Sequence, residues 1–276
     1  VVHGLGSVYY GIWTLLMQFS GYLWLFDLGV RESVVKYVAQ YHASGEQKQL
    51  ESTVRTAVSV YSVVSLAALL IAVLVSATIH LLFNIPPEAI RTARLAAFLA
   101  AATVAQSFLS NVFVGVLMGL QRFYVVSRTA ILFSVFRALA TYALLTSGYG
   151  IVALSGLHLA LSLVSSFVVF LLCRVYLPAV PLRPVRPARL DVAKLLNYGK
   201  YVLLANIGDK IVFATDAIVI GMFFPIAMLT PYAIAGTLIG NMRSVVMAMA
   251  SIVNPLTSSL QSTDGDESVA RVVQTG

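Results

Sequence analysis

YVLLANIGDKIVFATDAIVIGMFF, residues 201–224, is an apolar run that carries Asp209, Lys210 and Asp216. It is long enough to cross a bilayer. Pro225 and Pro231 bracket a short turn, and a second run follows, YAIAGTLIGNMRSVVMAMASIVNP, residues 232–255, broken only by Asn241 and Arg243. A charged side chain facing lipid is costly, so the ionisable groups in these two runs should face protein or a water-filled cavity. The two runs therefore predict a helical membrane protein with a polar interior.

The rest of the chain agrees with that reading. Of 276 residues, 59% are hydrophobic and 11% are charged, whereas a soluble domain carries about a quarter charged residues. Further apolar segments run near 7–26, 56–83, 95–120, 129–145 and 151–176. The expected fold is all-α and polytopic, with about seven transmembrane helices. The first segment is rich in Tyr and Trp, residues that favour the headgroup levels, and stops at Asp27-Leu28-Gly29. Residues 31–41 place Val34, Val35, Val38 and Tyr41 at helical spacing among charged residues, which predicts an interfacial helix. Gly115 and Gly119, four apart, permit close helix contact. The single cysteine, Cys173, excludes an internal disulfide and reads as a small apolar residue. Both ends lack start and stop signals, so the chain is expected to be a piece of a longer protein.

The Pro- and Arg-rich stretch 177–189 holds Pro178, Pro181, Pro184 and Pro187 interleaved with Arg183, Arg186 and Arg189. Proline at that density blocks helix and predicts an extended linker. The stretch divides the chain into a first bundle, 1–176, and the start of a second, 190–276, with helices near 201–224 and 232–255. The net charge of +7 lies mainly between the apolar segments, which reads as topology and not as nucleic-acid binding. Loops after the first, third and fifth segments together carry more Lys and Arg than those after the second, fourth and sixth, although the second and third loops carry two each. The first set of loops is thus expected on the cytoplasmic side, and a basic linker between two bundles suggests duplication.

Several blocks carry a family likeness. They are Gly11-Ile12-Trp13, Gly21-Tyr22-Leu23-Trp24-Leu25-Phe26-Asp27-Leu28-Gly29-Val30 and Lys36-Tyr37-Val38-Ala39 in the first part. In the second they are Asn197-Tyr198-Gly199-Lys200, Thr215-Asp216-Ala217-Ile218-Val219-Ile220-Gly221, Tyr232-Ala233-Ile234-Ala235 and Asn254-Pro255. In order and spacing the chain resembles prokaryotic polysaccharide-biosynthesis flippases, the Wzx-type proteins of the MOP superfamily that also holds the MATE exporters. The resemblance implies MATE-like helical bundles around a central cavity, with the seven segments corresponding to helices two to eight. It implies a multi-pass protein of the prokaryotic cytoplasmic membrane that moves an undecaprenyl-diphosphate-linked oligosaccharide between leaflets. Membrane lipids, and a polysaccharide polymerase or glycosyltransferase, are the partners it suggests. No cofactor is expected, and H+ or Na+ coupling is an option.

Such a substrate needs cations for its phosphates and polar groups for its sugar. Arg243, Lys210 and Arg137 are the in-span cations, and an arginine fork suits phosphate. Asp216 and Asp209 could pair with them or take part in ion coupling. Gln18 and Asn241 could meet sugar hydroxyls. Each has a plainer reading: a structural ion pair for Asp209 or Lys210, snorkelling to a lipid phosphate for Arg137, a helix-joining hydrogen bond for Gln18 or Asn241. His80 and His158 lack a second ligand at metal-binding spacing, and no phosphate-binding loop, triad or zinc motif is present, so no enzymatic chemistry is expected. A cation-coupled drug exporter, which would favour an acidic or apolar cavity, and a non-transporting truncated protein are the alternatives.

Overall fold

The computed structural model describes residues 2–83, 85–178 and 189–243. Two units divide the chain, Val1–Thr230 and Pro231–Gly276. The first contains α1 (Val2–Leu23), α2 (Val30–Ser44), α3 (Gln47–Leu82), α4 (Ile90–Gly119), α5 (Phe123–Thr146), α6 (Ile151–Tyr176) and α7 (Arg189–Phe223). Short 3-10 turns cover Trp24–Asp27, Pro87–Ala89 and Ile226–Met228. The second unit is described over 231–243, which are helical. The all-α reading holds for the described residues.

Among the described residues, four helices are long and apolar enough to cross a membrane: Gln47–Leu81, Pro87–Gly119, Phe123–Thr146 and Ile151–Tyr176. The expectation was about seven. In α1 the tyrosines, Gln18 and several glycines dilute the apolar character, and in α7 Asp209, Lys210 and Asp216 interrupt it. The last expected span, 232–255, lies outside the described residues beyond 243. So does the linker over 179–188, while Arg189 already belongs to α7.

Helix bounds differ where charged residues flank an apolar run. The lead into the second segment is helical from Gln47, nine residues before the apolar run, with Glu51 and Arg55 paired at 3.0 Å one turn apart. Helix α7 begins twelve residues before the expected Tyr201. The sixth helix matches its expected limits, Ile151–Tyr176, because Gly148 turns the chain in at positive φ and Leu177-Pro178 ends it.

Helix α4 is the hub and packs on α1, α2, α3 and α6. Its first half is built from Ala93, Ala96, Ala97, Ala100 and Ala101, and such small side chains let neighbouring helices approach. Gly115 and Gly119 meet α2, as their spacing suggests: a Cβ at Gly119 would lie 2.8 Å from Val38 Cβ. The proposed interfacial helix, α2, is thus buried along Val30, Ser33, Val34, Val38 and Tyr41. Two apolar clusters stack along the bundle. One surrounds Tyr61, Phe108 and Val112 near the end carrying the basic loops, and the other surrounds Ile12, Ile79 and Leu154 near the opposite end. Helix α5 buries only Val125 and Thr129, leaving a broad apolar face of the kind that suits lipid.

Helix α7 is fastened to α2 and α3 at the basic end. The Ser33 hydroxyl reaches the Leu195 carbonyl at 2.7 Å, and Ser52 donates to Asp191 Oδ2 at 2.6 Å. Lys194 donates to the Tyr41 hydroxyl and sits 4.7 Å over the Tyr37 and Tyr41 rings. At the crossing, Gly29 and Gly199 touch backbone to backbone: a Cβ on Gly29 would fall 2.5 Å from the Gly199 carbonyl oxygen.

Candidate functional site

Where the two apolar clusters part, the bundle holds a partly open cavity of about 420 Å³ with a serine-rich wall. Helix α1 contributes Trp13 and Ser20, α4 contributes Thr103, Ser107, Ser110 and Asn111, and α6 contributes Ser155, His158, Ser162, Ser165 and Ser166. The single cation among the lining residues is Arg137, from α5. A second cavity, about 880 Å³, continues towards the opposite end between α1, α5 and α6, lined by Gly4, Thr141, Tyr142 and Leu145 among others. The two share Trp13, Arg137 and His158. Trp13 and His158 meet edge to face with ring centroids 5.1 Å apart. One cation, one indole and one imidazole therefore lie where the two cavities adjoin.

The polar lining follows from helical spacing. Positions 155, 158, 162, 165 and 166 fall on one face of α6, and 103, 107, 110 and 111 do the same on α4. Some of these hydroxyls are already engaged: Gln106 donates to Ser162, and Ser166 donates to Gln106 Oε1 at 3.1 Å. Others are not. Arg137 Nε and Ser155 Oγ are buried without a hydrogen-bond partner, an arrangement native proteins rarely keep without a ligand or water to satisfy it. Among the described residues, no Asp or Glu lines either cavity and no carboxylate pairs with Arg137.

Of the residues singled out in the sequence, Arg137 lines both chambers. Gln18 is half-buried on α1 and outside the lining, whereas its neighbours Met17 and Gly21 belong to it. Asp216 is on the exposed side of α7 and takes part in an interaction there. The side chains of Asp209 and Lys210 lie outside the described part of α7. Asn241 and Arg243 are exposed on the helical residues of the second unit. Sequence reasoning missed Trp13, His158 and the serines of α6, although the serine periodicity was the signal that could have found them.

Asp27, read only as a stop, is buried at 8% exposure beside the cavity's basic-end wall. The Tyr61 hydroxyl donates to its Oδ1, and Asn111 Nδ2 donates to the same oxygen at 3.4 Å. The Arg31–Glu32 pair, 2.6 Å apart, lies close by. Burial is the largest influence on the Asp27 carboxyl and pushes its pKa above the ordinary value, against the hydrogen bond from Tyr61. Such a carboxyl holds its proton more tightly in the folded chain than in the unfolded one. Its contribution to stability is full below about pH 4 and is lost as the pH rises through the raised value. Asp27→Asn keeps an acceptor for both donors, so its melting temperature in detergent should vary less between pH 4 and 7 than that of the parent. Asp27→Ala strands two buried donors and should lose about 2–4 kcal/mol. Parallel pH profiles for parent and Asp27→Asn would show that this carboxyl does not titrate with folding.

Among the described residues, no group of three or more His, Cys, Asp or Glu could hold a metal ion. The family model described as polysaccharide biosynthesis protein matches residues 3–261. No curated protein and no solved structure matches the chain.

Proposed function

We propose that this chain, which belongs to the polysaccharide biosynthesis protein family, forms part of the path by which a lipid-linked oligosaccharide is flipped across a prokaryotic cytoplasmic membrane. The observation that carries this reading is Arg137, half-buried among serines inside a bundle of apolar helices, with its Nε buried and lacking a hydrogen-bond partner. A glycan on undecaprenyl diphosphate presents an anionic group and many hydroxyls. Arg137 meets the first as a charge-assisted donor, while the serines and the Trp13 ring suit the sugar. The open apolar face of α5 leaves the polyprenyl tail in lipid.

On this reading residues 1–176 form the larger part of a first MATE-like bundle and 190–276 begin a second. The stretch 177–189 links them on the cytoplasmic side. Rocking of the two bundles would expose one central site to each leaflet in turn. Asp209, Lys210 and Asp216 of α7 would add polar groups to that path. A cation-coupled drug exporter is the competing reading, and the lack of a lining carboxylate among the described residues of either cavity favours the anionic substrate. The test is where lipid-linked glycan collects in cells lacking the intact protein. Accumulation in the cytoplasmic leaflet supports flipping. Normal surface glycan with altered drug tolerance would replace it with the exporter.

A further inference from the structure

The charge pattern leaves one feature that transport through the central cavity does not use. Of the loops assigned to the non-cytoplasmic side, those after the fourth and sixth segments carry no Lys or Arg, whereas the one after the second segment leads into Arg91 and Arg94. Cations on that side run against the usual bias. In the structure both arginines line a groove of about 710 Å³ between the ends of α3 and α4, together with Ser76, Pro87, Leu95 and Phe98.

The groove has two chemically distinct parts. Arg91 and Arg94 are exposed, and among the described residues no carboxylate pairs with either. Arg94 Nη2 lies 3.0 Å from His80 Nδ1 and 3.2 Å from Nε2, so the imidazole on α3 positions that guanidinium without neutralising it. Below the arginines, Leu95, half exposed at 49%, and Phe98 form an apolar wall. Arg91 and Arg94 stand four and seven residues past Pro87, about 6–10 Å along a helix axis, which is the depth of a headgroup when that end of α4 is at the membrane surface. Two unpaired guanidinium groups above an apolar wall complement one phosphodiester above its acyl chains.

We infer that the groove between α3 and α4 binds an anionic phospholipid of the non-cytoplasmic leaflet, with Arg91 and Arg94 on its phosphate and Leu95 and Phe98 along its acyl chain. The occupant is a bulk membrane lipid and not the transported one, because the groove shares no lining residue with either central cavity. Its occupation would tether the α3–α4 hairpin to that leaflet.

The experiment is native mass spectrometry of the intact protein released from nanodiscs of phosphatidylcholine with graded phosphatidylglycerol. The parent should retain one phosphatidylglycerol that the Arg91→Ala/Arg94→Ala double variant binds about thirtyfold more weakly, at roughly 1 kcal/mol per cation. Arg91→Lys/Arg94→Lys, which keeps the charge and guards against misfolding of the alanine form, should fall between. Arg128→Ala, at the exposed start of α5, should match the parent. An equal loss in Arg128→Ala would reduce the effect to overall charge and overturn the site. Retention of undecaprenyl phosphate in preference to phosphatidylglycerol would overturn the bulk-lipid assignment, and displacement of the lipid by millimolar inorganic phosphate would reduce it to a free-phosphate site. None of these outcomes depends on whether the protein flips glycan.

Discussion

Arg137→Ala in the intact protein should lower surface glycan by about a hundredfold or more, with the protein still present in the membrane at parental abundance. The size follows from the chemistry. A guanidinium on a diphosphate makes at least two charge-assisted hydrogen bonds, each worth about 1.5–3 kcal/mol, and every 1.4 kcal/mol is tenfold. Stability should change little, because Arg137 makes no ion pair among the described residues and its Nε is already without a partner. Arg137→Lys should recover part of the export, since it restores charge but not the planar fork. Ser155→Ala, which removes the other buried unpartnered polar atom of the cavity, should have a smaller effect of the same kind. Undiminished glycan in Arg137→Ala would remove this residue from the path and return it to the snorkelling role the sequence also allowed.

The second large effect falls on stability. Gly199→Val should cost about 3 kcal/mol, seen as a lowered melting temperature in detergent. A side chain there would drive into the Leu28 carbonyl oxygen and the Gly29 backbone, and backbone cannot yield as the end of a flexible side chain can. Gly29 has no freedom to retreat, because it starts α2 at φ 66°, a conformation that suits glycine. The bonds Ser33–Leu195 and Ser52–Asp191 flank the crossing, so forcing the helices apart there should also free the start of α7. As a control, Gly156→Val, on α6 where a Cβ would meet nothing within 4 Å, should lose far less. Equal losses at the two positions would contradict the close crossing.

How much of this the sequence disclosed depends on the kind of residue. The apolar runs announced α3 to α6, because a bilayer demands a length that few other environments demand. The limits of α6 were legible from Gly148 and Pro178. Charged flanks hid the starts of α3 and α7, since a helix continues past the membrane on polar residues that hydropathy reads as loop. The site divided in the same way. Arg137 stood out as an in-span charge. Ser155, Ser162, Ser165 and Ser166 did not, because a serine barely perturbs the apolar average of its segment and matters only when its neighbours on the same face are also polar. Asp27 was visible but misjudged: next to Leu28-Gly29 it marks the end of a helix equally well whether solvated or buried, and only the approach of Tyr61 and Asn111 distinguishes the two.

The most direct measurement of the central claim is site-specific photo-cross-linking in cells that make the lipid-linked glycan. A photoreactive residue at Ser162, inside the cavity, should capture the glycan head, whereas one at Phe167, 60% exposed on α6, should capture only membrane lipid. Glycan captured at position 167 and not at 162 would show that the sugar passes outside the bundle, and the cavity would lose its assigned role.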